Sequence, residues 1–339
     1  MPKNKTVNIG LIGAGRIGSF HGETVARRLV DAELVAIADP APGAAAALAN
    51  KLDVESSYTD VADLLAHPDL DAVIIATPAR FHTNVLVQAA EAGKAIFCEK
   101  PMALTLEEAD RAIAAARAAG IPLQVGFNRR WDQAFADGRA AIDAGKIGVP
   151  QLLRSLTRDP GPFGADPARI PQWTIFYETL IHDFDTLLWL NPNAKPVEVM
   201  AVADALVRPD FRDKGFHDTA VVTIRFDNGS IAVAEANFCA MYGYDIRGEV
   251  FGSGGMVTMG DVRRSSMTLF DKNGTSNDTW RRDTEHFVHG YTAQLASFVR
   301  AVRRGEITEA PGGLDARKAL AIALACIESV ERKAPVALK

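Results

Sequence analysis

The chain has 339 residues, 48% of them hydrophobic, which is enough for about two domains with buried cores. Its formal net charge is −5, and acidic and basic residues are mixed along it, which excludes a basic nucleic-acid-binding stripe and a charged disordered tail. The three cysteines, Cys98, Cys239 and Cys326, lie far apart without a nearby histidine cluster, so neither a disulfide framework nor a metal site is predicted.

The N-terminal residues MPKNK lead directly into a β-branched run, without the apolar segment and small-residue cleavage site of a signal peptide. No apolar run reaches the roughly 18 residues that span a bilayer. We therefore expect a globular protein of the cytoplasm that binds neither membranes nor nucleic acids.

The first part of the chain alternates short apolar strands with amphipathic helices. The predicted strands read VNIGLIGAG, ELVAIADP, LDAVIIATP, AIFCEKP and IPLQVGFN, and helical runs such as IGSFHGETVARRLVDA separate them. Continuous apolar strands that alternate with helices are typical of a parallel sheet covered on both faces. We predict an α/β, doubly wound Rossmann domain over residues 1–126.

The turn after the first strand carries the pattern GxGxxG. Gly13, Gly15 and Gly18 allow a tight turn, a close approach to a pyrophosphate, and contact between helix and strand. Asp39 ends the second strand about 20 residues further on, where a carboxylate accepts hydrogen bonds from the adenosine ribose and repels a 2′-phosphate. No cation follows Asp39, so NAD is favoured over NADP. The alternative is a glycine turn without a ligand.

The alternation stops after GFNRRWD. The stretch TAVVTIRFDNGSIAVAEANF predicts two strands joined by a turn at Asn228 and Gly229, and the chain finishes with two helical runs. Strands in a block with helices at the margins indicate an α+β fold. We predict a second domain over residues 127–339, with a mainly antiparallel open sheet.

The strand AIFC is followed directly by Glu99, Lys100 and Pro101. Doubly wound domains bind ligands at the carboxyl ends of their strands, so Lys100 is expected in the cofactor cleft. A lysine there can donate a hydrogen bond to a substrate oxygen and stabilise negative charge that develops on it. The alternative is a surface lysine paired with Glu99.

The stretch FYETLIHDFDTLLWL predicts a helix over residues 176–190. Helical spacing places Glu178, His182 and Asp185 on one face. Histidine titrates near neutral pH and is the usual general base for an alcohol proton. The alternative is a structural histidine within a packed helix.

Several separated motifs carry a resemblance to a known family. GAGRIGSFH, ADP, ATPARFH, CEKPMALTLEEAD, GFNRRWD, RDPGP and IHDFD closely resemble the glucose-fructose oxidoreductase/inositol dehydrogenase/MocA-like family, over nearly the whole chain. YGYDIRGEVFG is similar to its inositol 2-dehydrogenase branch. The resemblance implies an NAD-dependent dehydrogenase of polyols or sugars that acts without a metal. It also implies a homotetramer that associates through the C-terminal domain, which binds the substrate.

The same resemblance assigns individual residues. It implies that Lys100 and His182 are catalytic and that Glu178 occupies the position of a substrate-binding aspartate. The implied cofactor-binding residues are Gly13, Gly15, Arg16, Ile17, Gly18, Asp39, Thr77, Pro78, His82, Glu99 and Lys100. The implied substrate-binding residues are Asn128, Arg158, Asp159, Trp173, Glu178, His182, Asp185, Tyr242 and Tyr291.

Two departures from the family pattern concern the substrate. Glu178 replaces the usual aspartate and moves the carboxylate by about one bond length. Trp173 and Thr174 stand where many inositol dehydrogenases carry two glycines, and an indole there reshapes one wall of the pocket. These changes leave the redox residues intact and point away from myo-inositol, towards another inositol isomer, a derivatised inositol or a pyranose.

Three alternatives to inositol oxidation follow. The first is a sugar dehydrogenase or reductase of the same family. The second is an enzyme that keeps its NAD bound and recycles it within one turnover. The third is a non-catalytic NAD-binding regulator, which the presence of both Lys100 and His182 disfavours.

Overall fold

The apolar strands of the first part of the chain form one sheet in the computed structural model, which describes residues 6–161, 170–306 and 310–338. The strands are β1 (Val7–Ile12), β2 (Ala32–Ala38), β3 (Ser56–Tyr58), β4 (Ala72–Ile75), β5 (Ala95–Cys98) and β6 (Leu123–Val125). Their order is β3-β2-β1-β4-β5-β6, and every neighbouring pair is parallel. The strand order reverses between β1 and β4, which is where doubly wound sheets bind their ligands. The predicted Rossmann fold is confirmed.

Helices connect these strands. They are α1 (Arg16–Arg28), α2 (Ala44–Leu52), α3 (Val61–Leu65), α4 (His82–Glu91) and α5 (Leu106–Ala119). The limits of α5 follow from its sequence: the Thr105 side chain accepts the N–H of Glu108 at the start, and Gly120 ends the helix in the left-handed conformation. Short β3 and α3 were not anticipated from the sequence, because neither is long enough to show a period.

A segment from the far end of the chain completes this unit. The first of two compact units comprises Met1–Asn128 and His289–Lys318. The later segment contains α9 (Val288–Arg304), which buries Leu295, Phe298, Val299 and Val302 in the same apolar core as β1, β2 and β5. The Gln124 side-chain amide in β6 also donates to the Gln294 carbonyl (2.9 Å).

The second unit comprises Arg129–Val288 and Ala319–Lys339. Its sheet contains β7 (Pro150–Arg158), β8 (Pro196–Asp204), β9 (Thr219–Phe226), β10 (Ile231–Asn237), β11 (Asp245–Gly252), β12 (Gly255–Met259) and β15 (Val336–Ala337). The order is β12-β11-β7-β10-β9-β8-β15, in which β7 and β10 are parallel and the other described pairs are antiparallel. The mainly antiparallel sheet and the hairpin at Asn228 and Gly229 are confirmed.

Helices pack on one face of this sheet, and alternate strand residues on the other face are exposed. The remaining elements are α6 (Gln133–Asp143), α7 (Ile181–Leu190), α8 (Asp283–His286), α10 (Gly313–Arg332), and a small hairpin of β13 (Leu269–Asp271) and β14 (Gly274–Ser276). Within the described ranges, we find no helix with the length and apolar character required to cross a membrane.

The helix predicted over residues 176–190 is not one regular α-helix. A π-helical turn over Ile175–Leu180 precedes α7. The sequence did not anticipate this π turn. The common face of Glu178, His182 and Asp185 stays a prediction.

Candidate active site

The glycine turn between β1 and α1 is held close to the end of β4. Gly13 has φ +103°, and a Cβ on it would lie 2.6 Å from the carbonyl oxygen of Ala76. A Cβ on Gly18 would collide with the carbonyl oxygen of Gly13. Gly15 precedes α1 without a side-chain cap, and a Cβ there would meet only open space. The turn therefore presents a helix N-terminus that a phosphate group can approach.

Asp39, at the end of β2, closes the same turn. One carboxylate oxygen accepts the N–H of Ala14 (2.7 Å), and the other accepts the N–H of Ala41 (2.8 Å). Each oxygen retains lone pairs that can accept from ribose hydroxyls. Arg16 and Ile17 form the first turn of α1, where Arg16 is exposed and Ile17 is half-buried.

The residues after β4 are joined to those after β5 through His82. One ring nitrogen of this buried histidine lies 2.7 Å from the Pro101 carbonyl oxygen and the other 2.7 Å from the Thr77 carbonyl oxygen. The Thr77 hydroxyl is buried and has no hydrogen-bond partner among the described residues. Pro78 is exposed and precedes a single 3₁₀ turn, Ala79–Phe81.

Glu99 is 6% exposed and turns away from solvent. One of its oxygens lies 2.7 Å from Nε2 of His21, and the other accepts the backbone N–H of Lys100 (3.2 Å). Burial alone would raise the pKa of Glu99, but the hydrogen bond and charge of His21, with the charges of Lys100 and His82, hold that pKa below its usual value. Lys100 itself is half-buried.

These features of the first unit fit NAD. The uncapped start of α1 suits a pyrophosphate, and the Asp39 carboxylate suits the adenosine ribose. In the described part of the chain, no group of three or more histidine, cysteine, aspartate or glutamate residues is arranged to hold a metal ion.

In the second unit, Glu178 lies in the π turn and His182 is the second residue of α7. Both side chains are half-buried, while the flanking Leu180 and Ile181 are in the core. The Thr186 hydroxyl donates to the His182 carbonyl (2.8 Å), which anchors the backbone at this histidine. An imidazole that is partly open can exchange a proton with a bound alcohol.

Trp173 begins this segment in an unusual conformation. Its φ is +61°, a left-handed value that bulky side chains rarely adopt. Its indole stacks on the His217 ring, with centroids 4.7 Å apart and an interplanar angle of 8°. Its carbonyl accepts the N–H groups of Phe176 and Tyr177, so the left-handed residue starts the π turn that carries Glu178.

Asp185 is 1% exposed, and Arg130 donates to both of its oxygens (2.9 and 2.5 Å). Its carboxylate is thus engaged inside the second unit, and its contact with substrate stays a prediction.

A second buried ion pair was missed in the sequence. Arg129 donates to Asp183 (2.7 Å), and the hydroxyls of Ser155 and Thr157 donate to the same carboxylate (2.6 and 2.7 Å). Arg129 is 2% exposed and Asp183 is fully buried. The available signal was a pair of arginines in NRRWD and a pair of aspartates in HDFD, but nothing in the sequence matched one pair to the other.

The structure brings two predicted substrate residues together at the end of β7. Arg158 donates to Glu235 (2.5 Å), and hydrogen bonds with Tyr242 and Glu235 raise the pKa of the Arg158 guanidinium. The Tyr242 hydroxyl donates to the buried Asp245 (2.9 Å). Asp159 follows directly and accepts a backbone N–H two residues along the chain (2.7 Å). These side chains form a polar cluster whose hydrogen bonds fix the positions of its donors and acceptors.

Two other predicted substrate residues are buried. Asn128 is 3% exposed and opens a 3₁₀ turn, Asn128–Trp131. Tyr291 is 6% exposed and belongs to the first unit, where its ring packs edge-on against Phe20 (5.2 Å between centroids) and His21 (5.7 Å).

Comparisons with known proteins cover almost the whole chain. Residues 7–127 match the oxidoreductase family with an NAD-binding Rossmann fold, and residues 135–258 match the GFO/IDH/MocA C-terminal domain. A myo-inositol 2-dehydrogenase of Thermotoga maritima is 36% identical over 98% of this chain and 99% of its own. An NAD⁺-dependent scyllo-inositol 2-dehydrogenase of Bacillus subtilis is 35% identical over 98% of this chain and 96% of its own.

A solved structure gives the same result. Scyllo-inositol dehydrogenase from Lactobacillus casei, crystallised with NAD(H) and scyllo-inositol, matches with a TM-score of 0.93 at 26% identity, over 98% of this chain and 99% of its own. Sequence and fold agree with the resemblance found in the motifs. The chain belongs to the GFO/IDH/MocA oxidoreductase family, whose N-terminal domain is an NAD-binding Rossmann fold.

Proposed function

We propose that this protein oxidises a secondary alcohol of an inositol or a related cyclic polyol to a ketone, with NAD as the hydride acceptor. The observation that carries the proposal is the end-to-end similarity to inositol 2-dehydrogenases, 36% identity over 98% of the chain. We assign NAD binding to the first unit, and polyol binding and oligomer formation to the second.

Residues of the first unit hold the cofactor. The glycine turn at Gly13, Gly15 and Gly18 receives the pyrophosphate at the start of α1, and Asp39 accepts the adenosine ribose hydroxyls. A carboxylate in this position repels a 2′-phosphate, so NAD is used in preference to NADP.

Three side chains act on the alcohol. His182 accepts the hydroxyl proton, and the C–H electron pair leaves the same carbon as a hydride. NAD, when bound, supplies the acceptor for that hydride. Lys100 donates a hydrogen bond to the alcohol oxygen and stabilises the negative charge that grows on it as the carbonyl forms. Glu178 accepts hydrogen bonds from neighbouring hydroxyls of the ring.

Other predicted substrate residues divide by their surroundings. Arg158, Asp159 and Tyr242 form a polar cluster whose exposed Tyr242 can reach a ligand, and we assign them to the polyol. Asp185 and Tyr291 pack within their own units, so we expect their substitution to reduce stability before it changes substrate affinity.

Trp173 sets the choice of polyol. Its indole, fixed against His217, replaces a glycine of the family pattern and narrows the site beside Glu178. We infer that the preferred substrate is an inositol isomer or derivative other than myo-inositol. The Trp173→Gly variant removes the bulky side chain and relieves the left-handed backbone, and its ratio of kcat/KM for myo-inositol to that for the best substrate should rise. An unchanged ratio would remove Trp173 from the specificity wall.

The exposed face of the second unit's sheet supports a homotetramer. A row of apolar residues crosses four neighbouring strands in register: Met256, Phe251, Leu152 and Ile231, each 46–51% exposed. An apolar row of this kind on a sheet face is typical of a protein–protein interface. Ile231→Glu should lower the mass measured by light scattering, whereas Val30→Glu, which is on the first unit and 94% exposed in the wild type, should not.

We place the reaction in the cytoplasm, where thiols stay reduced. The described structure leaves Cys98, Cys239 and Cys326 as free thiols.

A polyol and sugar panel tests the function directly. Purified protein is incubated with NAD and each of myo-inositol, scyllo-inositol, other inositol isomers and pyranoses, and NADH is followed by its absorbance. Turnover of a cyclic polyol supports the proposal, and turnover of pyranoses alone replaces it with a sugar dehydrogenase. Tightly bound NAD that copurifies and gives no free NADH indicates a cofactor-recycling enzyme. Absence of any turnover, with NAD bound reversibly, indicates a regulator.

A further inference from the structure

A buried carboxylate lies directly before the lysine that we assign to catalysis. Glu99 contacts His21 through one oxygen (2.7 Å) and the Lys100 backbone N–H through the other (3.2 Å). Its own N–H donates to the Ile75 carbonyl in the neighbouring β4 (2.9 Å). The backbone N–H and the carboxylate of Glu99 are therefore both fixed by hydrogen bonds, and the carboxylate in turn holds the Lys100 backbone.

His21 supplies a rigid partner for that carboxylate. The ring is fully buried and packs edge-on against Phe97 (5.6 Å between centroids) and Tyr291 (5.7 Å). Nδ1 has no hydrogen-bond partner among the described residues, so a proton there would be a buried, unsatisfied donor. A proton on Nε2 instead donates to the Glu99 carboxylate.

Gly126 provides the space that this carboxylate occupies. A Cβ on Gly126 would lie 2.9 Å from one Glu99 oxygen and 3.2 Å from the other. Even alanine at this position would require the Glu99 carboxylate to shift. Glu99 follows β5 and Gly126 follows the neighbouring strand β6. The position of the Glu99 carboxylate thus explains the glycine in the GFN motif.

His82 fixes the chain on the other side of Lys100. Its two ring nitrogens each lie 2.7 Å from a carbonyl oxygen, that of Pro101 and that of Thr77. Through these contacts the ring connects the backbone at Pro101 to the backbone at Thr77. The interaction with His82 also helps to hold the pKa of Glu99 below its usual value.

From these contacts we propose that His21, Glu99, Gly126 and His82, here named the lysine frame, form a device that positions Lys100 for the reaction. This assigns Glu99 and His82 to positioning and not to direct contact with the cofactor. The inference rests on the proposed function of Lys100. The frame acts through the backbone of Lys100 and Pro101, so its loss moves the ammonium group without removing it.

The groups that face Glu99 come from each element packed around it. They are His21 from α1, His82 from α4, the Cys98 thiol and Lys100 from β5 and its end, and Tyr291 from α9, which reaches Glu99 through His21. Of these, the frame requires Glu99 ionised. The turnover of the wild type should thus fall at low pH, and Glu99→Gln should remove the acid limb that Glu99 contributes.

The kinetic experiment uses matched variants on one helix. His21→Phe keeps an aromatic ring and removes the N–H to Glu99, and His21→Gln restores an N–H donor. Thr24→Val is the control, because it removes a buried hydrogen bond one turn further along α1 (2.9 Å to the Phe20 carbonyl) outside the frame. We expect kcat to fall about tenfold to a hundredfold in His21→Phe with KM for NAD little changed, partial recovery in His21→Gln, and no loss in Thr24→Val.

A second pair of variants tests the frame where His21→Phe fails to fold. Gly126→Ala should lower kcat in the wild-type background because its methyl group displaces Glu99. In the Glu99→Ala background that space is empty, so the same change should have a much smaller effect. Crystal structures of Gly126→Ala and the wild type without cofactor should show a displaced Lys100 backbone in the variant.

The outcomes separate the frame from the function. Wild-type kcat in both His21→Phe and Gly126→Ala, in an enzyme that Lys100→Ala inactivates, would overturn the frame and leave the function intact. Independent effects of Glu99→Ala and Gly126→Ala on kcat would overturn it as well. Should the wild type turn over no polyol, the proposed function fails, and the Lys100 position in the Gly126→Ala crystal structure still decides the frame.

Discussion

Lys100 and His182, the two residues assigned to the chemistry at the alcohol, lie in very different local surroundings. Lys100 follows a buried strand, and the residues on either side of it are fixed by buried hydrogen bonds from His21 and His82. His182 lies near the start of a helix that is preceded by a π turn and by a left-handed tryptophan. The backbone around Lys100 is regular and is fixed by several hydrogen bonds, whereas the backbone that leads to His182 is irregular.

The difference indicates which part of the protein varies with substrate. Hydride transfer is the same for every polyol, so the surroundings of Lys100 can keep one rigid geometry whatever the substrate. Substrate shape differs between polyols, and irregular backbone such as a π turn tolerates the changes that alter a pocket wall. The departures from the family pattern, Trp173 and Glu178, both occur in the irregular segment.

The largest effects are expected when the proposed catalytic side chains, Lys100 and His182, are removed one at a time. We expect Lys100→Ala to lower kcat by about 10²- to 10³-fold and His182→Ala by about 10²- to 10⁴-fold, because each loses a group that acts in the transition state. Steady-state kinetics with the best substrate of the panel measures both. Near wild-type rates in both variants would contradict the assignment.

Stability of the second unit should depend on its buried ion pair. Arg129→Met leaves the Asp183 carboxylate buried without its charge partner, which should lower the free energy of unfolding by about 3–5 kcal/mol. Arg154→Met, which removes a partly exposed ion pair with Glu235, should lower it by less than about 1 kcal/mol. Urea unfolding measures the free energy of unfolding of both variants. Equal losses would show that the buried ion pair stabilises the protein no more than the partly exposed one.

Cofactor affinity should depend on Asp39 in the regular unit. Asp39→Ala removes the acceptor for ribose hydroxyls and for two backbone N–H groups, so the Kd for NADH should rise about tenfold or more. Discrimination against NADPH should also weaken, because the repelling charge is gone. Fluorescence titration measures both ligands, and an unchanged preference for NADH would contradict this role of Asp39.

The last expected effect is an acid sensitivity of the second unit. His286 is stacked between Trp280 and Phe287, and burial, followed by the charge of Arg129, lowers its pKa from 6.5 to about 4. As the pH falls below 6.5, His286 therefore binds a proton in the unfolded chain before it does so in the folded chain. Stability from this residue is complete above pH 6.5 and declines as the pH falls towards about 4.

His286→Phe should remove that part of the pH dependence while keeping the aromatic stack. Urea unfolding midpoints measured across this pH range give the comparison. A slope that is the same in variant and wild type would exclude His286 as the sensitive group.

Local sequence signals predicted the regular parts well. The GxGxxG turn, the apolar parallel strands and the hairpin at Asn228 and Gly229 each depend on residues close together in the chain, so a pattern reveals them. Lys100 and His182 were candidates from their positions in the sequence, and the family resemblance linked them; their roles stay predictions.

Long-range features could not be predicted in the same way. The match of Arg129 to Asp183 and that of His21 to Glu99 join residues far apart in sequence, and no periodicity encodes them. The π turn was missed because apolar spacing over six residues, Ile175–Leu180, does not distinguish it from an α-helical turn.

The contribution of α9 to the first unit has a consequence for biosynthesis. Phe298 and its neighbours complete a core whose strands all lie within the first 128 residues, so a nascent chain that has left the ribosome only that far carries an uncovered apolar face. Until the later helix is translated, that surface is available to chaperones and to aggregation. Expression of the nucleotide-binding portion as a truncated fragment should therefore give insoluble material unless residues 289–318 are supplied with it.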